Sequence, residues 1–183
     1  MADMRILKEE TAALLIDIQE KLFPHMSDSE RMLACCLKLI DGLKVLSLPL
    51  LATQQYTKGL GPTIEPVKER AEGISYIEKI SFSCLDEPLV RQQLEAYRRE
   101  SILIFGIEAH VCVLQTCIDL LAEGYQPVVV EDCISSRNKN DKIIAVERMR
   151  QEGAYITTSE SILFELTRTA GTGMFKMISG IVK

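Results

Sequence analysis

The sequence has no cluster of lysines and arginines, and its formal net charge is −5, which argues against nucleic acid as a partner. It has no apolar run long enough to cross a bilayer; the longest are of strand length, so no membrane partner is expected. Its first residues, MADMRILKEE, carry acidic side chains and lack the apolar core of a secretion signal, so a cytoplasmic location is the expectation. There is no C-x-x-C pair. The six cysteines are too sparse for a disulfide scaffold, and a cytoplasmic setting keeps them reduced. His25 and His110 are the only histidines, and metal-ligand spacing is missing. Neither G-x-G-x-x-G nor the phosphate-binding lysine motif follows a strand-like run, so no cofactor is implied. Internal repeats, linkers and low-complexity segments are absent too. What remains is an ordinary globular composition, 47% hydrophobic and 26% charged, over 183 residues. That length suits a single domain, 1–183, with a substantial core.

Residues 101–124, SILIFGIEAHVCVLQTCIDLLAEG, hold the clearest local pattern. An apolar, β-branched run at 102–105 breaks at Gly106. Helical spacing follows, with Leu114, Cys117, Ile118 and Leu121 on one face. Gly124 is placed to stop that helix. This predicts a strand, a tight turn and a helix, with Cys112 in the helix's first turn. Free N–H groups and the helix dipole there favour a thiolate, so Cys112 is expected to ionise below the usual thiol value. The alternative is a small residue packed where helix meets sheet.

The same alternation runs through the chain. Residues 12–16 are apolar and end at Asp17, as in a buried parallel strand with a carboxylate at its C-terminal end. Asp17 would otherwise be a turn or cap residue. Helical spacing over 27–47 includes Cys36, with a capping-box pattern of Ser27 and Glu30. Residues 50–53 form a second strand-like run. The Gly- and Pro-bearing stretch 54–66 reads as a loop, and 64–71 as a short helix. Residues 74–82 predict a third strand with Lys79 near its end, where a solvated charge is the plain alternative. A helix is predicted at 88–97, a fifth strand at 127–130 ending in Glu131 and Asp132, and a helix at 140–151 stopped by Gly153. A sixth strand at 154–157, a helix at 159–168 and an apolar C-terminal segment at 175–182 complete the chain. The alternation indicates an α/β domain with a mainly parallel sheet and helices on both faces.

Asp17, Lys79 and Cys112 each follow the core of a different strand, or open the helix after it. In a parallel sheet such ends share one edge. A carboxylate, an ammonium and a thiol gathered there make a nucleophilic site. Cys84, close to Lys79 in sequence, is a rival nucleophile, but it lacks the helix N-terminus.

Asp17 in LLIDIQ, Lys79 in IEKISFS and Cys112 in GIEAHVCVLQT resemble, in type, order and context, the Asp–Lys–Cys triad of the isochorismatase-like cysteine hydrolases. That superfamily includes nicotinamidases and N-carbamoylsarcosine amidohydrolases. DCISSRNKND and TTSESILFELTRTAGT are similar to a small branch of it. The resemblance implies a three-layer α/β/α Rossmann-like sandwich with a six-stranded parallel sheet, homo-oligomers, and a cis peptide bond at Ile107–Glu108. It also implies an oxyanion hole from the Glu108 and Cys112 backbone N–H groups. Nicotinamidases hold a metal through an Asp-x-His stretch after the second strand. Here Thr53, Gln54, Gln55 and Tyr56 stand there, so no metal is expected. Glu108 reads as a structural carboxylate bonded to backbone donors. His110 either lines the site or caps the helix.

The implied activity is metal-independent hydrolysis of a C–N bond in a small amide-type molecule through a Cys112 acyl-enzyme. Phe23, Tyr56, Phe82 and His110 are candidate pocket walls. The alternative is a non-catalytic oligomeric scaffold that keeps the fold, and a thiol redox role using Cys84 is a third reading.

Overall fold

Apolar runs with no polar alternation become strands covered on both faces, and β1 (Thr11–Ile16) is buried along its whole length. The structure, a computed structural model, describes residues 5–183. Five further strands follow: β2 (Leu50–Gln55), β3 (Ser75–Lys79), β4 (Ser101–Ile107), β5 (Gln126–Ser135) and β6 (Tyr155–Thr157). All pair in parallel in the order β3-β2-β1-β4-β5-β6. The helices are α1 (Ser29–Val45), α2 (Thr57–Leu60), α3 (Glu65–Arg70), α4 (Pro88–Tyr97), α5 (Leu114–Ala122), α6 (Lys139–Glu152), α7 (Ser159–Thr167) and α8 (Gly173–Val182).

The sheet grows outward in both directions from β1 and β4. Right-handed crossovers therefore put helices on opposite faces in the two halves. α1 packs with α3, α7 and α8, while α5 packs with α6. The result is the α/β/α sandwich expected from the sequence. The reversal between β1 and β4 opens a crevice at the strands' C-terminal ends, where ligands of such sheets bind.

Register places the ends close together. Ile16 lies opposite Thr53 on one side and Gly106 on the other, and Gln55 lies opposite Lys79. Gly106 is required there: its φ is +124°, and a Cβ would sit 2.0 Å from the Ile16 carbonyl oxygen. Asp17 leaves β1 in the left-handed region, at φ 51°, a conformation that aspartate tolerates better than most residues.

Several elements depart from expectation, each for a local reason. The capping box at Ser27 does not form. Its hydroxyl instead donates to Ser136 O at 2.8 Å, tying the start of α1 to the end of β5, and Asp28 takes the cap position. The stretch 54–66 is not a plain loop. β2 continues to Gln55, and Tyr56 O accepts from Gly59 N and Leu60 N to start α2. β3 ends at Lys79 rather than at 82, because the chain curls back to offer carbonyls to that lysine. β5 runs past Glu131 and Asp132 through a register shift. Both charges are matched from neighbouring elements: Glu131 by Lys142 at 2.7 Å, Asp132 by the Ser159 hydroxyl at 2.6 Å.

Candidate active site

Lys79 and Asp17 meet where β3 and β1 end. Lys79 Nζ lies 2.6 Å from Asp17 Oδ2, and both side chains are wholly shielded from solvent, so neither charge has water as a partner. The ammonium also donates to the carbonyls of Ser81 and Phe82, each at 3.1 Å. The second carboxylate oxygen, Oδ1, accepts from Thr53 Oγ1 at 2.8 Å. Burial of an ion pair costs several kcal/mol per ion unless such extra bonds complete it.

Cys112 faces this pair. Its thiol donates to Gln55 Oε1 at 3.2 Å, and the charges of Asp17 and Lys79 both act on it. The three residues singled out in the sequence are thus brought together. The local fold around the sulfur differs from expectation. Cys112 lies in a widened π turn, Ala109–Val113, in which Val113 N–H reaches Glu108 O at 3.2 Å, five residues back. The added residue rotates the following helix, so Thr116, Cys117 and Leu120 are buried while Leu114, Ile118 and Leu121 are only partly so.

The predicted acidic thiol is corrected by its surroundings. Burial first, and then the charge of Asp17, push the Cys112 thiol up, and the opposing pull of Lys79 does not make up the difference. These surroundings favour the protonated sulfur at rest. For Lys79, burial pulls the ammonium down, but Cys84, Asp17 and Cys112 outweigh it, and its pKa is raised above the usual 10.5. Cys84 is fully buried, 3.7 Å from Thr53 Oγ1, and burial pushes its thiol up to about 11. It is walled off as a nucleophile.

The Ile107–Glu108 bond is cis, as the resemblance implies. Glu108 is buried, and its carboxylate accepts from the Arg137 backbone N–H at 3.2 Å and from Arg137 Nε at 3.0 Å. That is a structural tie between β4 and the segment after β5, with a guanidinium added to the expected backbone donor. His110 Nδ1 lies 2.9 Å from Ser136 Oγ, bridging the same two segments. Tyr56 and Phe82 are about half exposed, and both adjoin the site through their backbones: Tyr56 N–H donates to Lys79 O, and Phe82 O accepts from Lys79. Phe23 packs against the core in the turn after β1. Cys112 itself is only 5% exposed. A cleft of about 650 Å³ lies elsewhere, between α1 and α6, lined by residues such as Arg31, Met32, Lys142 and Ile143 and not by Cys112.

Sequence reasoning missed Gln55, Thr53 and Gln19 as parts of this site. Gln19 is fully buried and clamps the end of β2: its side chain accepts from Gln55 N at 2.7 Å and donates to Gln55 O at 2.9 Å and Gly61 O at 2.6 Å. The signal for two of them was their place, since Thr53 and Gln55 stand in the stretch where metal ligands occur in nicotinamidases. As ligands these residues do not fit zinc. Thr53 is engaged by Asp17, Gln54 Oε1 by Thr63 N at 2.8 Å, and Gln55 by Cys112. A hydroxyl and neutral amides are poor zinc donors. Among the described residues no group of three or more His, Cys, Asp and Glu could hold a metal.

The chain matches the isochorismatase domain over residues 11–161. It is 42% identical over 190 residues to isochorismatase family protein 1B of Dictyostelium discoideum, covering 98% of this chain and 89% of that one. Two solved structures superpose closely. One, described as the MAR1 ribonuclease of Caenorhabditis elegans, has a TM-score of 0.92 and 36% identity, covering 97% of this chain and 92% of the other. The second is YcaC from Pseudomonas aeruginosa, solved with hexane-2,5-diol and covalent acrylamide. It has a TM-score of 0.92 and 25% identity, covering 99% and 93%. In fold, length and sequence alike, this chain belongs to the isochorismatase domain family, a superfamily generally made up of hydrolases.

Proposed function

We propose that this protein is a metal-independent cysteine hydrolase that cleaves a C–N bond in a small amide-type molecule. One observation carries the reading: a solvent-free Lys79–Asp17 ion pair whose two charges both act on the thiol of Cys112, which shares the Gln55 amide oxygen with Lys79. An inert core has little use for that cost. When substrate enters, Asp17 takes the thiol proton and the sulfur attacks the carbonyl carbon. Lys79 holds Asp17 in place and offsets the negative charge gathered on thiolate and substrate. The backbone N–H groups of Glu108 and Cys112 receive the oxyanion. Collapse breaks the C–N bond, and the leaving nitrogen departs with the proton held by Asp17. Water, deprotonated by Asp17, then cleaves the thioester, and the sulfur recovers its proton. We assign Phe23, Tyr56, Phe82 and His110 to the walls of the space that substrate enters beside Cys112.

A relative that takes up acrylamide covalently supports a reactive centre of this type in the family. The partners we assign are a small-molecule substrate and further copies of this chain, with neither nucleic acid nor membrane, in the cytoplasm. Exposed Ile80, Phe82, Leu89, Ile143 and Ile144 offer apolar surface for self-association. Among the described residues no helix is long and apolar enough to cross a membrane.

The test is a panel of small primary and secondary amides assayed with purified protein and with Cys112→Ala. Turnover should fall by at least about a thousandfold in the variant, as for loss of other activated nucleophiles. Turnover that persists in Cys112→Ala, or an amide panel without a single Cys112-dependent hit, would leave only the scaffold reading.

A further inference from the structure

Among the described residues Gln55 is the one side chain hydrogen-bonded to both the sulfur and the ammonium, and the chemistry proposed above gives it no role. Its amide can face only one way. The NH2 end donates to Ile80 O at 3.1 Å, and the oxygen lies 3.4 Å from Lys79 Nζ, which can only donate. The oxygen is therefore the end presented to the thiol. The backbone beneath is equally fixed, because Gln19 grips Gln55 at both N–H and C=O. A half-buried amide fixed by Ile80 O and Lys79 Nζ, on a backbone gripped by Gln19 at N–H and C=O, with its acceptor 3.2 Å from a sulfur, is a built feature of this edge.

We propose that Gln55 is a positioning residue that holds the Cys112 S–H in a resting orientation, and that substrate binding releases it. An amide oxygen accepts a hydrogen bond but is far too weak a base to take the proton. While the S–H points at Gln55, the sulfur keeps its proton despite the carboxylate beside it. A substrate that displaces the thiol from Gln55 leaves Asp17 as the remaining acceptor. The S–H bond then breaks, an O–H bond forms on Asp17, and the electron pair stays on sulfur for attack. The enzyme thus carries no standing thiolate for stray electrophiles. The elevated thiol of the resting site agrees with this. The step in turnover rests on the hydrolase reading; the resting-state bond does not.

The test measures alkylation of substrate-free protein by iodoacetamide near neutral pH, with the modified cysteine located by peptide mass spectrometry. Gln55→Met keeps the length and removes the acceptor. Cys112 should then react about three- to tenfold faster, the range expected for loss of one neutral hydrogen bond to the protonated form. Gln55→Glu puts a negative charge at the same place and should slow the reaction and move its pH midpoint upward. Cys84 is the internal control. A merely structural Gln55 would loosen the site in both variants, raising Cys112 and Cys84 reactivity together. That pattern, or unchanged Cys112 alkylation in Gln55→Met, overturns the proposal. The readout needs no turnover, so it stands apart from the Cys112→Ala assay.

Discussion

The centre of the site is one buried ion pair, and its energetics are set by what would be left behind if either partner went. Lys79 has four oxygens around it: Asp17 Oδ2, Gln55 Oε1, Ser81 O and Phe82 O. Asp17 has Lys79 and Thr53. Lys79→Met strands the Asp17 carboxylate and leaves two carbonyls without their donor. Asp17→Asn strands the ammonium while keeping the shape. Each single variant should lose about 3–5 kcal/mol of unfolding free energy, the usual cost of an uncompensated buried charge. Urea unfolding of the two variants measures it. A loss below about 1 kcal/mol in both would mean that water reaches the pair, and the closed site described above would be wrong. Sequence alone made these residues legible as types at strand ends. It did not reveal what Gln55 does, because its place after the second strand reads only as a position where a metal ligand is missing. Only the register of β2 against β3 sets it opposite Lys79.

At the scale of elements, the strands were legible wherever their apolar runs are unbroken, as in β1 and β4. Boundaries set by long-range partners were not. β5 continues through Glu131 and Asp132 because Lys142 of α6 pairs with the first and Ser159 hydrogen-bonds the second, which no local pattern encodes. β3 stops early because the ammonium of Lys79 draws two carbonyls out of the strand path. The π turn at Ala109–Val113 was equally hidden, since apolar spacing predicts an α-helix and misplaces the buried face by a residue. Gly106 is the hinge of this scale, joining β4 to that turn against the backbone of β1. Gly106→Ala forces a Cβ into Ile16 O at 2.0 Å and holds alanine at a φ that side chains avoid. The conformational part alone costs about 1–3 kcal/mol. Since the contact is with the Ile16 backbone, β1 and β4 must separate to relieve it, and Asp17 moves away from Cys112. We expect Gly106→Ala to be recovered poorly or to melt well below the native protein. Should it fold, Cys112-dependent turnover should fall more than stability does. A variant with native melting and full activity would show that the approach of β1 to β4 is not needed.

For the whole molecule, free thiols are unevenly placed with respect to solvent. Cys36, Cys84, Cys112, Cys117 and Cys133 are buried, and only Cys35 is partly open. Burial is the first cause that lifts the thiols of Cys84 to about 11 and Cys117 to about 12, and it raises Cys112 and Cys133 from the ordinary 9.0 as well. The folded chain therefore holds protons that the unfolded chain gives up at about 9. A folded value above the unfolded one means stability that is complete at lower pH and is lost as pH rises. Lys79 has the same sign, but its contribution fades only beyond 10.5. Unfolding free energy should be level through neutrality and fall from about pH 9 to about pH 11 or 12, by on the order of 1 kcal/mol per pH unit for each buried thiol. Cys117 lies on α5, outside the site, so Cys117→Ala should make the fall shallower and leave its onset in place. Denaturant unfolding across that range is the measurement, under reducing conditions so that oxidation does not contribute. A flat profile would mean that water or a counter-charge reaches these sulfurs. The resting thiol at Cys112, on which the role given to Gln55 depends, would lose its physical basis with it.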